Sequence, residues 1–192
     1  MAAGTEQDRA PRFVPVRPIV MVGPMAVGKS VIGAELARVL GVDFIDTDQR
    51  IVAKHGPIPR IFGARGEHHF RQLEARAVAD VLDTDKPKPV VLSLGGGAVL
   101  DTGTQQLLGR STVVFLQATV ETVRERIVRN TGRPLLAGDP VKAWMRLAAV
   151  RIPVYSRLAD ITLDVSNSSV PELVAELIAI LDAEQRKENT AP

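Results

Sequence analysis

Five short apolar runs alternate along the chain with longer segments in which apolar residues recur at helical spacing. A short apolar run suits a buried strand, whereas recurrence at every third or fourth residue suits a helix with one buried face. This alternation predicts a parallel sheet with helices on both faces, which is a three-layer α/β/α fold. We expect strands at about residues 19–22, 42–48, 90–94, 113–116 and 161–165. We expect helices at about residues 28–40, 67–82, 101–108, 119–129, 141–158 and 170–181, with Pro153 kinking or restarting the fifth.

The first predicted strand leads into a loop bounded by glycines. Residues 23–30 fit the phosphate-loop pattern G-x-x-x-x-G-K-[ST]. In such a loop the backbone N–H groups wrap the β-phosphate, the lysine reaches the β- and γ-phosphates, and the hydroxyl binds Mg²⁺. The helix that follows directs its positive end at the anion. The candidate nucleotide-binding residues of this stretch are Gly23, Pro24, Met25, Ala26, Val27, Gly28, Lys29, Ser30 and Val31.

Ala26 occupies an interior position of the loop where many phosphate loops have glycine. A residue other than glycine that is held at positive φ costs about 1 kcal/mol. Two outcomes are open: the loop avoids positive φ at Ala26, or it tolerates mild strain there.

Two carboxylates follow the second predicted strand. Asp46 and Asp48 are two residues apart, so a strand would direct both side chains to the same side. The alternative is that a carboxylate only caps the next helix, since aspartate is favoured at that position. Because this strand is expected beside the phosphate loop, we favour one carboxylate on the metal side and one on the substrate side.

The helix expected at 67–82 carries an arginine and a glutamate one turn apart. Glu74 can orient the guanidinium of Arg71, although taken alone this pair is an ordinary surface ion pair. His68 and His69 are adjacent and cannot share one helix face as metal ligands, so we expect polar surface there.

Three glycines and a glycine- and proline-rich loop complete the candidate site. Gly95, Gly96 and Gly97 follow the third strand, where they allow a ligand to lie against the backbone. Residues 130–140 lie between two helices and contain Arg133, which is the composition of a mobile lid.

Composition narrows the class of protein. A chain of 192 residues with 45% hydrophobic content can form one domain with a real core. A net charge of +2 is not typical of a nucleic-acid-binding protein, and the absence of cysteine excludes disulfides and thiolate chemistry. No segment approaches the roughly 20 apolar residues of a membrane span or has the apolar core of a signal peptide. We therefore expect a cytoplasmic monomer that binds neither nucleic acid nor membranes.

The two ends of the sequence are expected to lie outside the domain. Residues 1–16 are polar, contain two prolines and show no regular period, which predicts a disordered tail. Residues 183–192 form a charged tail. A single domain is expected at residues 17–182.

Six segments, in this order, resemble the shikimate kinase family, whose members are phosphate-loop kinases related to the nucleoside monophosphate kinases. They are GPMAVGKS at 23–30, DTD at 46–48, GExxFRxxE at 66–74, SLGGGAV at 93–99, RPLL at 133–136 and the run at 151–155. The resemblance spans about residues 19–181 and implies a five-stranded parallel sheet of order 2-3-1-4-5. It implies Mg²⁺-dependent transfer of the ATP γ-phosphate to the 3-hydroxyl of shikimate, giving shikimate 3-phosphate and ADP in aromatic amino acid (chorismate) biosynthesis.

The resemblance also implies roles for single residues. Lys29 and Ser30 would hold the phosphates and Mg²⁺, Asp46 would reach the metal, and Asp48 would accept a hydrogen bond from the reacting hydroxyl. The remaining roles fall on the shikimate-binding region at about 46–82, the lid at about 130–140, and the residues that follow the lid. Here Arg71 and Arg151 would clamp the shikimate carboxylate, Gly95 to Gly97 would line its pocket, Arg133 would reach the transferring phosphate, and Arg126 would stack on adenine.

Departures from the family and two alternatives remain. Ala26, the prolines at 57 and 59, and the serines at 168 and 169 differ from the family pattern. A kinase for gluconate or a nucleoside monophosphate is the nearest alternative, but a gluconate kinase is expected to lack the three glycines and FRxxE. A nucleotide-dependent binding module without transfer chemistry would not need Arg133 in a lid.

Overall fold

The computed structural model describes residues 13–85, 88–129 and 133–190. The strands are β1 (Ile19–Val22), β2 (Asp43–Asp46), β3 (Val90–Ser93), β4 (Thr112–Gln117) and β5 (Ile161–Asp164). The α-helices are α1 (Lys29–Leu40), α2 (Thr47–His55), α3 (Ile58–Leu82), α4 (Thr102–Leu108), α5 (Val120–Arg129), α6 (Pro140–Leu158) and α7 (Val170–Thr190). Short 3-10 helices lie at Ala98–Leu100 and Pro134–Leu136.

The five strands form one parallel sheet of order β2-β3-β1-β4-β5, which confirms the expected topology. In the centre, Val20 of β1 pairs with Leu92 of β3 on one side and Val113 of β4 on the other. Because the strands are parallel and in register, their carboxyl ends lie at one edge of the sheet. The loops that follow β1, β2 and β3 are therefore neighbours.

Alternate residues of β1 belong to two different hydrophobic clusters. Ile19 and Met21 contact a cluster that includes residues of α1, α5 and α7, whereas Val20 and Val22 contact one that includes residues of α3 and α4. The sheet is therefore covered on both faces, as the continuous apolar runs predicted. Helix α6 contributes Trp144 to the first cluster and Tyr155 to the second.

The region between β2 and β3 differs from the prediction. Strand β2 ends at Asp46, and the sequence analysis missed α2, which begins at the next residue. Helix α3 begins at Ile58 with a proline in its first turn, and Gly66 interrupts it with φ 76° and ψ 173°. The GExxFRxxE segment thus starts at a backbone break, and its glycine accounts for the late helix start that the pattern predicted.

Pro153 does not restart α6. The helix is continuous from Pro140 to Leu158, so the restart is wrong, while a kink at Pro153 stays a prediction. Proline removes one helical hydrogen bond. Because Ala148 and Tyr155 are buried on either side of it, packing holds the helix together across the missing bond.

The ends of the described chain are packed together. Helix α7 continues to Thr190 instead of ending at 181, so the segment expected as a charged tail is helical up to that residue. Phe13 is 8% exposed in the core, and Gln185 Nε2 donates to the carbonyl oxygen of Val14 at 3.3 Å. Residues 13–16 are therefore not the loose segment that was predicted, while residues 1–12 and 191–192 lie outside the described part. No helix in the described ranges has the length and apolarity needed to cross a membrane.

Candidate active site

The loop between β1 and α1 folds around the ammonium group of its own lysine. Lys29 Nζ donates hydrogen bonds to the backbone carbonyl oxygens of Gly23 and Pro24, both at 2.9 Å. Gly23 has φ 144°, and a Cβ there would lie 2.6 Å from the carbonyl oxygen of Leu116, so only glycine fits. Gly28, with φ 102°, precedes the first residue of α1. The loop thus brings a cation and the positive end of a helix together, as an anion-binding site requires.

Ala26 adopts φ 69°, so the loop tolerates the strained conformation. Two side chains from distant helices bind the carbonyl groups at this point. Trp144 Nε1 donates to the carbonyl oxygen of Met25 at 2.9 Å, and Arg126 Nη1 donates to that of Ala26 at 3.0 Å. The left-handed residue is therefore held by hydrogen bonds from both α6 and α5.

Burial dominates the protonation of Lys29. Desolvation lowers the pKa of Lys29 from 10.5 to about 8; Asp48 and Asp46 raise it, and Arg133 lowers it. Since pH 7 lies below this pKa, most of the ammonium keeps its proton at neutral pH.

Ser30 and Asp46 form a pair of oxygen ligands beside the loop. Ser30 Oγ donates to Asp46 Oδ2 at 2.5 Å, while Asp46 Oδ1 accepts from the backbone N–H of Gln49 at 3.1 Å as the cap of α2. The capping role and a position on the metal side are thus compatible. Within the described ranges, no cluster of three or more His, Cys, Asp or Glu side chains could hold a metal. Mg²⁺ commonly takes one or two carboxylates and completes its shell with water and substrate phosphates, which this hydroxyl–carboxylate pair fits.

Asp48 lies in the first turn of α2. The direction of its side chain is therefore not set by strand alternation, and that reason for pairing it with Asp46 was wrong. Its Oδ1 is buried and has no hydrogen-bond partner among the described residues. Burial raises the pKa of Asp48, as does Asp46, whereas Lys29 and Arg133 lower it. A carboxylate that lacks a protein partner can accept a hydrogen bond from a substrate hydroxyl.

Thr47 fixes both carboxylates relative to the sheet. Its side chain is fully buried, and its hydroxyl donates to the carbonyl oxygen of Ser93 at 3.2 Å and accepts from the N–H of Gly95 at 3.0 Å. These bonds join the start of α2 to the end of β3. Because Asp46 and Asp48 flank Thr47, they are held at the same edge. The sequence analysis missed this role, since threonine is common at helix starts.

Arg71 is held by two glutamates of its own helix. Its Nη2 donates to Glu67 Oε1 at 2.7 Å, and its Nη1 donates to Glu74. Glu74 is only 2% exposed, so the pair is not an ordinary surface ion pair. Burial raises the pKa of Glu74 to about 7, although Arg71 lowers it. The buried carboxylate therefore restricts the direction of the guanidinium.

The glycines after β3 leave space for the groups of the site. A Cβ on Gly95 would lie 2.7 Å from Asp48 Oδ1, and a Cβ on Gly97 would overlap the guanidinium of Arg71. Gly97 has φ −103°, which any residue adopts. At Gly97, space and not backbone conformation requires glycine.

Gly96 lies between the phosphate loop and α6. A Cβ on it would lie 3.5 Å from both the carbonyl oxygen of Gly23 and the hydroxyl of Tyr155, and 3.7 Å from Arg151 Nη1. The Tyr155 hydroxyl donates to the Gly96 carbonyl, and its ring packs on Phe115 with centroids 5.4 Å apart. Because burial raises the pKa of Tyr155 to about 12, the hydroxyl remains a donor at neutral pH.

Two further arginines reach the site from the later part of the chain. Arg151 of α6 is 5% exposed, and Arg133 precedes the 3-10 helix at Pro134–Leu136. Arg133 Nη1 is buried without a hydrogen-bond partner among the described residues, and desolvation lowers the pKa of this guanidinium. Of the lid predicted at 130–140, residues 130–132 lie outside the described part.

One cavity of about 540 Å³ is lined by residues of the phosphate loop and by carboxylates, glycines and arginines described above. Its size lies in the range of roughly 300–1,000 Å³ that is common for small-molecule sites. The sequence-predicted residues that line it are Met25, Ala26, Val27, Gly28, Lys29, Ser30, Val31, Asp46, Asp48, Arg71, Gly96, Gly97, Arg126, Arg133 and Arg151. Gly23, Pro24 and Gly95 do not line it. The carbonyl oxygens of Gly23 and Pro24 accept hydrogen bonds from Lys29, which does, and the N–H of Gly95 donates to Thr47, between Asp46 and Asp48.

The comparison with protein families decides the identity. A family model described as shikimate kinase matches residues 25–182. The chain belongs to the shikimate kinase family. It is therefore an ATP-dependent kinase, with all six sequence segments of the resemblance in place.

Sequence relatives cover nearly the whole chain. The shikimate kinase of Xanthomonas campestris pv. campestris is 41% identical over 179 residues, which cover 92% of this chain and 98% of the relative. The shikimate kinase of Histophilus somni is 41% identical over 170 residues, covering 86% and 95%. The similarity thus extends through both halves of the cavity and is not confined to the phosphate loop.

Solved structures of shikimate kinases have the same fold as this chain. A shikimate kinase from Acinetobacter baumannii in complex with shikimate has a TM-score of 0.83 and 32% identity, covering 88% of this chain and 94% of that chain. The shikimate kinase of Aquifex aeolicus has a TM-score of 0.74 and 30% identity, covering 88% and 98%. A gluconokinase from Sinorhizobium meliloti, with a TM-score of 0.61 and 22% identity over 93% of this chain and 100% of its own, shares the fold alone.

Two aromatic residues near the kinase site were given no role from the sequence, although Tyr155 ends the run at 151–155 that carries the family resemblance. Trp144 and Tyr155 lie seven residues before and four residues after Arg151, which puts all three on one face of α6. They are the only tryptophan and the only tyrosine in the chain. Their helical spacing from Arg151, a predicted functional residue, was the sequence feature that could have pointed to both aromatic residues. Ser168, noted as a departure from the family, lines the cavity.

Glu74 gives the kinase a predictable pH dependence. As the pH falls from about 7.5 to about 5.5, Glu74 takes up a proton and its charge no longer holds Arg71. We expect the KM for shikimate to rise over this window, with a smaller change in the KM for ATP. Steady-state kinetics with Glu74→Gln provide the check: its KM for shikimate should already be raised at the upper pH and should vary little below it. A variant profile parallel to that of the wild type would contradict this role.

Proposed function

We propose that this kinase transfers the γ-phosphate of ATP, with Mg²⁺, to the 3-hydroxyl of shikimate, giving shikimate 3-phosphate and ADP in aromatic amino acid (chorismate) biosynthesis. One observation carries the proposal. A single cavity is lined by a phosphate loop with its lysine, by Asp48, and by two guanidinium groups, that of the half-buried Arg71 and that of the buried Arg151. A nucleotide, a hydroxyl and a carboxylate are the three chemical groups that these side chains recognise.

The nucleotide half consists of residues 23–31 together with Arg126. In this proposal the loop N–H groups and Lys29 bind the β- and γ-phosphates, while Arg126 stacks on the adenine. Ser30 and Asp46 are the residues that would hold Mg²⁺. When bound, the metal neutralises charge on the β- and γ-phosphate oxygens.

The transfer step requires mainly positioning and charge stabilisation. Lys29 and Arg133 lie on the side of the cavity where negative charge develops on the transferring phosphate. Asp48 accepts a hydrogen bond from the 3-hydroxyl and orients its oxygen toward the phosphorus. A strong base is unnecessary, because the proton leaves late in a loose transition state.

The acceptor half holds shikimate by its charged group. Arg71 and Arg151 bind the carboxylate from two different helices, and Gly96 and Gly97 line the pocket between them, with Gly95 behind them. This arrangement leaves the ring hydroxyls on the side of Asp48.

The proposal also covers the boundaries of the domain, its functional regions and the oligomeric state of the protein. We assign the kinase domain to about residues 13–190 instead of the 17–182 expected from the sequence, because Phe13 packs in the core and α7 continues to Thr190. The shikimate-binding region is placed at about 46–82 and the lid at about 130–140. We propose that the protein works as a monomer in the cytoplasm, without nucleic acid or membrane partners.

A coupled ADP-release assay tests the function. Purified protein is given ATP and Mg²⁺, and then shikimate, gluconate, AMP or no acceptor. We expect ADP release only with shikimate. Release that is equal with gluconate or AMP, or that does not depend on an acceptor, would contradict the assignment.

Arg133→Ala tests the lid. An arginine that meets the phosphate only when the lid is closed stabilises the transition state more than the ground state. We expect kcat to fall on the order of 10²-fold or more, with a smaller effect on the binding of either substrate alone. Lys142→Ala is the control, because Lys142 is exposed at the start of α6. If calorimetry found ATP binding lost as completely as turnover, Arg133 would be a ground-state ligand.

Arg71→Lys and Arg151→Lys test the carboxylate clamp. Lysine keeps the charge and loses the planar fork, so each variant should raise the KM for shikimate about tenfold or more, with little change for ATP. Arg76→Lys and Arg146→Lys are matched controls, since both arginines are exposed on the same two helices.

The methyl ester of shikimate completes this test. Because the ester has no charge to bind, it should be a poor substrate for the wild-type enzyme, and both clamp variants should discriminate less between acid and ester. Equal use of acid and ester by the wild type would refute the clamp.

A further inference from the structure

Ala26 is the only residue other than glycine with a positive φ in the described part of the chain. Alanine in this conformation costs about 1 kcal/mol relative to glycine, so the backbone of the loop favours other shapes. The N–H groups of a phosphate loop point at the anion only while the backbone keeps this shape. Contacts from outside the loop must therefore favour it.

Trp144 contacts the loop from α6. It is 4% exposed and belongs to the same hydrophobic cluster as Val27 and Ile32. Its indole N–H donates to the carbonyl of Met25, the residue immediately before Ala26. A large aromatic ring fixed by packing has little freedom to follow a change in the loop, so the bond restrains the peptide between Met25 and Ala26.

Arg126 contacts the next carbonyl from α5. Its Nη1 donates to the oxygen of Ala26 and would lie 4.0 Å from a Cβ on Gly28, so it spans the loop to the start of α1. Arg129, one turn later on the same helix, is 79% exposed and pairs with Glu125. The loop contact is therefore particular to Arg126.

We propose that Trp144 and Arg126 are positioning residues that hold the phosphate loop in its anion-binding shape against the preference of Ala26. The proposal rests on the proposed function in one respect, namely that the nucleotide phosphates bind in this loop. When only a fraction of the molecules has the competent loop, the apparent affinity falls by that fraction. These contacts thus set the affinity for the triphosphate, and Arg126 acts on the phosphate half in addition to any contact with the base.

Calorimetric titration of four proteins tests the proposal. Magnesium ATP and magnesium tripolyphosphate, which has no base, are titrated into the wild type, Trp144→Phe, Arg126→Ala and the control Arg129→Ala. We expect Trp144→Phe and Arg126→Ala each to weaken both ligands about fivefold, which is the effect of one hydrogen bond. Arg129→Ala should match the wild type. Shikimate should bind all four alike, which shows that the fold is intact.

Ala26→Gly provides the second arm. Glycine adopts positive φ without strain, so the loop stays competent when one contact is lost. In that background we expect Trp144→Phe and Arg126→Ala to weaken both ligands less than about twofold. A general loss of packing would weaken binding equally in both backgrounds, so a smaller loss of affinity in the Ala26→Gly background is specific to the proposal.

Three results would overturn the inference. One is a loss of affinity in the Ala26→Gly background equal to the loss in the wild-type background. Another is Arg126→Ala weakening ATP but not tripolyphosphate, which would confine Arg126 to the base. The third is loss of shikimate binding in parallel with ATP binding. Failure of the proposed function is seen separately, as a wild-type protein that does not phosphorylate shikimate.

Discussion

Two backbone turns approach each other at the carboxyl ends of adjacent strands, and the site depends on this contact. The N–H of Leu94, just after β3, donates to the carbonyl of Met21 in β1 at 3.1 Å, so the pairing continues to the point where both chains turn. Beyond it, Gly96 lies next to Gly23, since a Cβ on Gly96 would be in ordinary contact with the Gly23 carbonyl oxygen at 3.5 Å. The phosphate loop and the glycine turn therefore form one continuous wall. In the proposed function this wall separates the nucleotide side of the cavity from the acceptor side and holds the two at a fixed distance.

Charge in this cavity is balanced by partners that are themselves buried. Desolvation lowers the pKa of Lys29 and raises the pKa of Asp48, so each is stabilised by the opposite charge of the other. Arg71 depends in the same way on Glu74. Buried polar atoms without partners, such as Asp48 Oδ1 and Arg133 Nη1, are costly in a folded protein. Because Asp48 and Arg133 both line the cavity, the same residues that are costly to bury are the ones a substrate can contact.

The sheet order, the phosphate loop and the three glycines followed from sequence because they depend on local patterns and family order. Helix α2 did not, because Asp46 ends a strand and caps a helix, and the alternation rule was extended two residues too far. The buried state of Glu74 needed the packing of α3 on the glycine turn, which spacing on one helix cannot reveal. Trp144 donates across 119 positions of sequence. Such long-range contacts are set by tertiary structure. The only sequence feature that connected Trp144 with the site was its helical spacing from Arg151.

The most direct test is to add one methyl group at Gly97, in the glycine turn of residues 95–97. Gly97 has φ −103°, so alanine fits its backbone, and the three atoms nearest to the added Cβ would all belong to the guanidinium of Arg71. Calorimetry on Gly97→Ala should therefore give an unfolding transition near that of the wild type, an affinity for shikimate reduced about tenfold or more, and unchanged ATP binding. Gly63→Ala is the matched control, because a Cβ on this helical glycine contacts nothing within 4 Å. Shikimate affinity in Gly97→Ala equal to that of Gly63→Ala would contradict the account.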